Sequence, residues 1–362
     1  MKDKIKIREY LKSLDKPKVL IVREGLIGDI VFITPLLTKL KKYLPNAVVD
    51  FVVSEISKTL LNNFNNVGEV FGLKRYTPLM KQLSFYWKLR KKKYDVVFVQ
   101  EVNTHYTLMA KLTGTKYIIS YINQYSFLQN VSVERKGHAV EAEQKTVNYL
   151  FDDNEIAGTA LKLSEDEIKD GEQLLNQNGI KKDDLIICIH PGCSEQNSVR
   201  DWINERFASL CNRLINDFNA KIIFTGINKD KPDIDEIRSL VNSNTINFCD
   251  KLNLRQAAAI YSFCTLVIGP DTGTLHMANA VGTPILMLMG YADEKDTGPY
   301  DLTGRSKAVH VELDCLPCKH IEPKPERWDI CKNKRPVICM EMLSVEQVYN
   351  EASKIINNRL LV

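Results

Sequence analysis

The stretch "LVIGPDTGTLHMANAVGTPILMLMG", residues 266–290, predicts a strand, a glycine-containing turn, a helix and a second strand, in that order. An apolar run at Leu266–Ile268 precedes the turn, and a second run at Ile285–Met289 follows the helix. Apolar runs that alternate with helical segments are typical of parallel β-α-β units. The stretch therefore predicts an α/β fold.

Similar apolar runs recur along the chain and fall into two series. The first series is Val19–Val22, Val48–Val53, Val96–Val99 and Tyr117–Ser120, and the second is Leu185–Ile189, Lys221–Thr225, Thr245–Phe248, Leu266–Ile268 and Ile285–Met289. Each series opens with a strand that runs into a glycine-containing loop, "KVLIVREGLIGD" in the first and "LIICIHPGCS" in the second. We therefore predict two Rossmann-like domains whose parallel sheets face a central cleft, with ligands at the carboxyl ends of the strands.

The predicted boundaries follow from these two series. Between them lies a polar helical segment that opens with Ser164 and Glu167, the spacing of a capping box. We predict an N-terminal domain over 1–165 and a C-terminal domain over 166–342, which includes a cysteine cluster at 315–339. A last helix, 343–362, is predicted to pack back across both domains.

Composition and charge restrict the class of protein. The 362 residues are 44% apolar and 26% charged, and the N-terminus carries charges where a signal peptide has its apolar run. No apolar run approaches the length of a membrane-spanning helix, so the sequence predicts a cytoplasmic protein. Residues 1–100 hold 20 Lys and Arg against 9 Asp and Glu, a net charge of +11, whereas the remainder has −7. This asymmetry predicts an anionic partner, such as a phosphorylated glycolipid, a membrane surface or a nucleic acid.

The densest basic stretch is "YWKLRKKKYD", Tyr86–Asp95. Its interleaved aromatic residues suit an anionic head group, whereas charge runs of this kind are also typical of a solvated helix end before a strand. Both interpretations stay open from the sequence alone.

The loop "REGLIGD" places Arg23, Gly25, Gly28 and Asp29 between a strand and a helix. Asp is a favoured helix N-cap residue, and it complements the helix dipole. A carboxylate at this position is also a candidate general base for a substrate hydroxyl. The loop lacks the Gly-x-Gly-x-x-Gly spacing, which argues against a dinucleotide cofactor.

Two loops of the second series suit a negatively charged ligand. Ser194 and Arg200 follow a buried strand in "HPGCSEQNSVRDW". The planar guanidinium of an arginine binds phosphate oxygens through two N–H groups at once. The alternative for Arg200 is a surface charge at the start of a helix. The backbone N–H groups of Thr272, Gly273 and Thr274 are predicted at a helix N-terminus, which binds phosphate readily. His276 then lies in the first turn of that helix.

Asp271-Thr272-Gly273 is also the triplet that presents a catalytic carboxylate in aspartic proteases. Such a site needs two carboxylates that share a proton, and this chain has no second Asp-Thr-Gly. A homodimer could supply the second, but the α/β pattern around the triplet argues against this class.

Three ordered segments resemble glycosyltransferase family 9, the bacterial heptosyltransferases. They are "KVLIVREGLIGDIVFITPLLTKLKKYLPNAVVDFVVSE", "IHPGCSEQNSVRDWINERFASLCNRL" and "LNLRQAAAIYSFCTLVIGPDTGTLHMANAVGTPILMLMG". The resemblance implies a GT-B fold with an N-terminal acceptor domain and a C-terminal nucleotide-sugar domain. It also implies inverting transfer of a sugar, typically heptose from ADP-heptose, onto a lipopolysaccharide core or related glycan, without a catalytic metal.

The resemblance also implies roles for individual residues. Asp29 matches the general base, with Arg23, Gly25 and Gly28 in the acceptor-side loop. The positions that match donor-binding residues are Arg200, Asp271, Thr272, Gly273 and His276. Ser194 and Thr274 join the predicted donor site because of the loop and helix positions described above. The chain departs from the family in having Gly25-Leu26-Ile27 where many members have small hydroxyl residues, and Arg200 where Lys is usual. These departures leave the sugar and the acceptor open.

Four cysteines near the C-terminus, Cys315, Cys318, Cys331 and Cys339, have the spacing C-x2-C-x12-C-x7-C. This pattern predicts a closed tetrathiolate site for structural zinc, or for iron. Four free thiols, or disulfides in an oxidising compartment, are the alternatives.

Two other classes compete with a glycosyltransferase. A nucleotide-sugar epimerase has a similar two-domain fold, but it needs acid and base groups around the donor sugar, and only Asp271 is evidently placed there. A non-catalytic assembly protein built on the cysteine cluster is the third possibility. The leading prediction is the transferase, with no cofactor for catalysis, no nucleic-acid partner, and peripheral association with the inner face of the inner membrane through the basic N-terminal domain.

Overall fold

The computed structural model describes residues 2–74, 76–192, 199–318 and 337–360. The chain divides into two compact units, Met1–Lys162 and Leu163–Val362. Within the described ranges, no helix has both the length and the apolar character needed to cross a membrane.

The first unit is a six-stranded parallel sheet, in the described residues, with helices on its faces. Its elements in chain order are α1 (Lys2–Ser13), β1 (Lys18–Arg23), α2 (Ile27–Tyr43), β2 (Val48–Ser54), β3 (Val67–Leu73), α3 (Leu79–Leu89), β4 (Val96–Val99), α4 (Thr104–Leu112), β5 (Tyr117–Tyr121), β6 (Val131–Val133) and α5 (Ala139–Phe151). The strand order is β3-β2-β1-β4-β5-β6.

The first unit changes winding direction beside β1, which is paired in parallel with β2 on one side and β4 on the other. Crevices outside the carboxyl ends of strands at such a switch point are the usual ligand sites of open α/β sheets. The loop that ends at Asp29 leaves β1 at this point. The topology of the first unit therefore puts this loop at the expected ligand edge.

The second unit repeats this architecture. Its elements are α6 (Glu165–Gln177), β7 (Ile186–Ile189), α7 (Asn204–Phe218), β8 (Lys221–Phe224), α8 (Lys231–Ser239), β9 (Ile246–Asn247), α9 (Leu254–Phe263), β10 (Leu266–Pro270), α10 (Gly273–Ala280), β11 (Ile285–Leu288), α11 (Glu294–Thr297), β12 (Lys307–Val309), α12 (Ile338–Met342) and α13 (Val345–Leu360). The order β12-β11-β10-β7-β8-β9 places its switch point between β7 and β10.

The two-sheet α/β architecture is confirmed, and the strands predicted from the sequence are present with small differences at their ends. Three strands, β3, β6 and β12, are not predicted from the sequence. All three are edge strands, and β6 and β12 have only three residues each, whereas β3 is interrupted by two glycines and an exposed Glu69. Edge strands are buried less completely, so the continuous apolar run that identifies a central parallel strand is lost.

The last helix, α13, packs on α7 and on the strands β10, β11 and β12 of the second unit. Its packing across both domains stays a prediction.

Candidate functional site

Asp29 is the third residue of α2, and both of its carboxylate oxygens have protein partners. Oδ2 accepts a hydrogen bond from the backbone N–H of Leu26 at 2.9 Å, and Oδ1 accepts one from Arg23 Nη2 at 2.6 Å. The N-cap position itself belongs to Leu26, which corrects the interpretation of Asp29 as the N-cap residue. The Asp29 side chain keeps 37% of its surface exposed, so the carboxylate is held by the protein and still reaches solvent.

Gly25 is required by the close approach of the loop to Asp29. A Cβ atom at this position would lie 2.2 Å from the Cβ of Asp29. Ser54 Oγ donates a hydrogen bond to the carbonyl oxygen of Gly25 at 2.7 Å, which holds the loop against the end of β2. Gly28 is the residue before Asp29 in the first turn of α2. Any larger residue at position 25 would displace the carboxylate.

Arg23 ends β1 and is surrounded by three carboxylates. In addition to Asp29, it contacts Glu101 Oε1 at 3.0 Å and Glu143 Oε1 at 3.2 Å. Burial lowers the pKa of Arg23, but Glu143, Asp29 and Glu101 outweigh this effect, so the pKa is raised above its ordinary value. Glu143 is fully buried in α5, and burial raises its pKa despite the opposing effect of Arg23 and Arg135. The guanidinium is therefore locked in one position beside Asp29.

A fourth carboxyl group, Glu24, completes the polar cluster at the end of β1. Burial raises the pKa of Glu24, although the hydroxyls of Tyr86 and Tyr106 donate hydrogen bonds to its oxygens at 3.1 and 3.4 Å. The sequence identified Arg23 and Asp29 but missed Glu101 and Glu143. Glu101 lies just beyond the carboxyl end of the neighbouring strand β4. This position is the one sequence feature from which its place in the cluster could have been predicted.

Replacing Arg23 by Met is expected to destabilise the first unit by about 3–5 kcal/mol, because it removes the closer of the two arginines that face the fully buried Glu143, Arg23 at 3.2 Å and Arg135 at 3.5 Å. The loss should shrink as the pH falls, since a buried carboxyl whose folded-state pKa is raised binds its proton more tightly in the folded protein. Thermal unfolding over a pH series measures this effect. The double variant Arg23→Met/Glu143→Gln should recover part of the loss; equal instability of both variants at every pH would contradict the pairing.

In the second unit, α10 begins directly after β10 and presents its N-terminus at the carboxyl edge of the sheet. Thr272 is the N-cap residue, and its Oγ1 is buried with no hydrogen-bond partner in the part of the chain that the structure describes. The N–H groups of a first helical turn have no intrahelical partner and carry partial positive charge. Gly273 and Thr274 form that first turn. An anion at this point would meet backbone donors and a hydroxyl group.

Asp271 and His276 lie together beside this helix start. His276 Nε2 is 3.6 Å from Asp271 Oδ1, and the two side chains are 6% and 13% exposed. The sequence expectation that His276 lies in the first turn of the helix is confirmed. The nearly buried carboxylate and imidazole provide hydrogen-bonding groups suited to sugar hydroxyls.

Arg200 is half-buried and contacts the same turn, and its role in donor binding stays a prediction. Its Nη1 donates to the carbonyl oxygen of Asp271 at 2.9 Å, and its Nη2 donates to the hydroxyl of Tyr291 at 2.8 Å. The guanidinium also lies 5.0 Å from the centre of the Tyr291 ring. Tyr291, which the sequence missed, follows the carboxyl end of β11. Ser194 lies outside the described residues.

The strand neighbouring β10 approaches this turn closely. A Cβ atom at Gly269 would lie 2.2 Å from the carbonyl oxygen of His190, so only glycine fits there. Burial lowers the pKa of His190, and its Nδ1 lies 3.1 Å from Thr225 Oγ1. Thr225 Oγ1 is in turn 2.9 Å from the hydroxyl of Tyr261. This buried network fixes the end of β7 from which the loop to Arg200 departs.

A cavity of about 570 Å³ lies beyond the ends of β11 and β12. Its lining includes Asp293, Glu294, His310, Asp314 and Leu316. This size is typical of small-molecule sites. The carboxylates of this lining outnumber its one lysine, Lys295, which disfavours phosphate, so an uncharged portion of a ligand suits this cavity better.

The cysteine cluster is described only in part. Cys315 and Cys318 are half-buried, Cys339 is buried, and the structure forms no disulfide among the cysteines that it describes. Cys331 lies outside the described residues. Within the described ranges, no group of three or more His, Cys, Asp or Glu side chains is arranged to hold a metal ion. A metal site is therefore not shown.

Comparison with known proteins identifies the family of this chain. The profile of the family described as glycosyltransferase family 9 (heptosyltransferase) matches residues 82–328, more than half of the chain. The chain is 22% identical over 308 residues to the lipopolysaccharide core heptosyltransferase OpsX of Haemophilus influenzae, which covers 82% of this chain and 86% of the relative.

Solved structures show the same fold. A family 9 glycosyl transferase from Veillonella parvula superposes with a TM-score of 0.81 at 18% identity, covering 95% of this chain and 98% of that one. The E. coli ADP-heptose LPS heptosyltransferase II superposes with a TM-score of 0.75 at 19% identity, covering 94% and 99%. The chain therefore belongs to glycosyltransferase family 9, the heptosyltransferase family, and is a glycosyltransferase with the GT-B fold.

Proposed function

We propose that the protein transfers heptose from ADP-heptose to a lipopolysaccharide-core or related glycan acceptor, with inversion at the anomeric carbon. The observation that carries the proposal is the position of Arg200 against the turn that opens α10, because this pairing of a guanidinium with a helix N-terminus suits a diphosphate. The names of the relatives support heptose and lipopolysaccharide: OpsX is a lipopolysaccharide core enzyme, and the E. coli structure is named for ADP-heptose.

The two units take different parts of the reaction in this proposal. The region 1–165 binds the acceptor and the region 166–342 binds the nucleotide sugar. In the second region, Arg200 and the first turn of α10 hold the diphosphate, and the buried Thr272 hydroxyl supplies a further hydrogen-bonding group. Asp271 and His276 hold sugar hydroxyls, and Ser194 contributes from the loop outside the described residues.

The chemical step is a single displacement with Asp29 as the general base. The carboxylate takes the proton of the acceptor hydroxyl, and the resulting oxygen forms its bond to the anomeric carbon from the face opposite the diphosphate. The bond between the anomeric carbon and the phosphate oxygen breaks, and the negative charge passes to ADP. Arg200 and the α10 N-terminus stabilise that charge, so these residues provide the electrostatic stabilisation that the leaving group requires.

Mass spectrometry of a mixture of protein, ADP-heptose and a lipopolysaccharide core lacking its terminal heptose tests this function. The expected result is one heptose added to the acceptor and ADP released in equal amount. Conversion of the nucleotide sugar to an epimer without any acceptor would instead indicate an epimerase. The absence of both reactions with a range of nucleotide sugars would indicate a non-catalytic protein.

We also propose that Cys315, Cys318, Cys331 and Cys339 hold a structural zinc or iron ion. Cys339 belongs to the core of the second unit. Its Sγ would lie 3.1 Å from a Cβ atom at Gly290, which follows β11. A metal ion bound by Cys339 would therefore link the cysteine cluster to the end of β11. The three described cysteines do not form a metal group by themselves, and the proposal therefore depends on Cys331.

Elemental analysis of the purified protein tests the metal proposal. We expect one metal ion per chain, lost in Cys315→Ser/Cys318→Ser together with a lower melting temperature, because structural metal sites contribute directly to folding stability. Cys249→Ser, a buried cysteine outside the cluster, is the control and should keep its metal. Metal-free wild-type protein isolated under reducing, chelator-free conditions would contradict the site.

Finally, we propose that the protein works on the cytoplasmic side of the inner membrane, bound peripherally through its basic first unit. The charge asymmetry between residues 1–100 and the remainder supports this partner.

A further inference from the structure

We infer that the first unit docks on an anionic lipid bilayer through one defined surface, which deepens the membrane partner of the proposed function. We call this surface the docking face. Its apolar members are Leu79, Met80, Trp87, Val102, Ile122 and Phe127. Its basic members are Lys81, Lys88 and Lys91, all exposed.

The apolar members are unusually exposed for their size. Met80 is 75% exposed, Phe127 is 77% exposed and Trp87 is 58% exposed. Single exposed apolar residues are common on folded proteins, whereas contiguous apolar patches mark surfaces that bind a partner.

Hydrogen bonds between neighbouring elements place these apolar residues on adjoining segments of the first unit. The loops after β3, β4 and β5 all leave the carboxyl edge of the same parallel sheet. His105 Nε2 is 2.7 Å from Gln82 Oε1, which joins the start of α4 to α3. Gln124 Nε2 donates to Thr104 Oγ1 at 3.1 Å, which joins the turn after β5 to α4. Phe127, Val102 and Met80 therefore belong to three adjoining segments.

The outer face of α3 extends this strip with alternating apolar and basic side chains. Tyr86 and Leu89 point into the core of the first unit. Met80, Ser84 and Trp87 follow one another at helical spacing on the opposite side of α3, and Lys91 follows in the turn after its end. All four are exposed, and so are Lys81 and Lys88. A helix with one buried face and an exposed face of Trp, Met and Lys has the character of helices that lie in a bilayer interface.

The charge of this segment is entirely positive. Residues 74–93 contain eight Lys and Arg and no Asp or Glu. Lys92 is paired with Glu69, and the guanidinium carbon of Arg90 lies 4.5 Å from the centre of the Trp87 ring. Basic residues close to an anionic leaflet each strengthen binding by about a factor of five. The charge complements acidic phospholipid head groups.

A bilayer can bind the apolar and the basic members of the docking face at the same time. Lysines meet head-group phosphates, while Trp87 lies at the interface and Met80 and Phe127 enter the boundary of the acyl chains. A nucleic acid would pair with the lysines but would leave the exposed apolar side chains in water, whereas a bilayer interface accepts both kinds of side chain. The partner is therefore acidic phospholipid.

The orientation has a consequence for the acceptor. Asp29 lies beyond the carboxyl end of β1, at the same edge of the sheet as the loops of the docking face. Docking through this face therefore brings the edge that carries the proposed base toward the lipid surface, where a lipid-borne acceptor presents its sugars.

Vesicle flotation tests the inference. We expect the full-length protein to float with vesicles that contain phosphatidylglycerol, to float poorly with phosphatidylcholine alone, and to be released as salt rises. Lys88→Gln/Lys91→Gln should bind about 25-fold more weakly, about a factor of five for each lysine. Met80→Ser/Phe127→Ser should lose the part of the vesicle binding that persists at high salt in the unaltered protein. Two variants of exposed residues in the second unit, Lys181→Gln/Lys182→Gln and Leu302→Ser, are the matched controls and should bind as the unaltered protein does.

Failure to float with phosphatidylglycerol vesicles at low salt would overturn the inference, as would equal losses in the control variants. Retention of a lipid-free polyanion such as heparin, unaffected by Met80→Ser/Phe127→Ser and without vesicle binding, would favour a soluble acidic partner instead. An assay of sugar transfer to a lipid-free core glycan tests the proposed function independently of membrane docking. The docking variants should keep that reaction, and vesicle binding by a protein without transferase activity would overturn only the proposed function.

Discussion

Replacing Asp29 by Asn is expected to lower kcat for sugar transfer by about 10²–10⁴-fold, the usual contribution of a positioned general base. The amide has nearly the same shape and keeps a carbonyl oxygen that accepts the Leu26 N–H, so the start of α2 is preserved. The amide does not accept a proton from the acceptor hydroxyl at ordinary pH. Single-turnover transfer with saturating ADP-heptose and acceptor measures the loss at the chemical step.

The structure provides a closely matched control in the second unit. Glu167 is the third residue of α6, accepts the backbone N–H of the N-cap Ser164 at 2.8 Å, and pairs with the buried Arg255 at 2.6 Å. Its carboxylate thus repeats the structural role of Asp29, with a similar partly exposed side chain. Glu167→Gln should cost comparable stability and leave kcat nearly unchanged.

The comparison of these two variants separates chemistry from helix capping. If Asp29→Asn kept more than about a tenth of the wild-type kcat, general-base catalysis by Asp29 would be contradicted. Equal losses of kcat in Asp29→Asn and Glu167→Gln would instead show that the effect comes from destabilised helix starts. Asp29→Glu gives a further check, because the longer side chain moves the carboxylate while keeping the negative charge.

Much of the fold follows from local sequence patterns. The central strands are continuous apolar runs because both of their faces are covered, and the Ser164 to Glu167 capping box is present as predicted. The turn at Asp271 was also predicted correctly as the link between a buried strand and a helix. These features depend on residues within a few positions of one another, which is the range that a single sequence reports directly.

The partners of the candidate site residues depend on contacts between distant elements. Arg23 pairs with Glu101, 78 residues away in sequence, and with Glu143 in the middle of α5. A Glu inside a helix that carries several charges is ordinarily exposed, so nothing local distinguishes the fully buried Glu143. Tyr291 is likewise brought to Arg200 by the pairing of β7 with β10 and of β10 with β11. Long-range packing therefore supplies the partners that orient the site residues.

Replacing Arg200 by Gln is expected to lower kcat/KM by about 10²–10³-fold, because electrostatic stabilisation of developing charge typically contributes that much per group. The guanidinium is held in plane by the Asp271 carbonyl and the Tyr291 hydroxyl, so it is preorganised beside the first turn of α10. Gln retains polar atoms at this position but removes the positive charge that opposes the departing diphosphate. Arg200→Lys, which restores the charge without the planar fork, should recover part of the loss.

Two measurements distinguish stabilisation of the leaving group from a structural role for Arg200. Tyr291→Phe removes one partner of the guanidinium while keeping the ring beneath it, and it should lower kcat/KM by less than about tenfold, the cost of one ordinary hydrogen bond. ADP binding, followed by calorimetry, should weaken in Arg200→Gln and become less sensitive to salt, since one charge–charge interaction with the diphosphate is lost. Unchanged ADP affinity in a folded Arg200→Gln protein would place Arg200 outside the diphosphate site and assign the leaving charge to the α10 N-terminus alone.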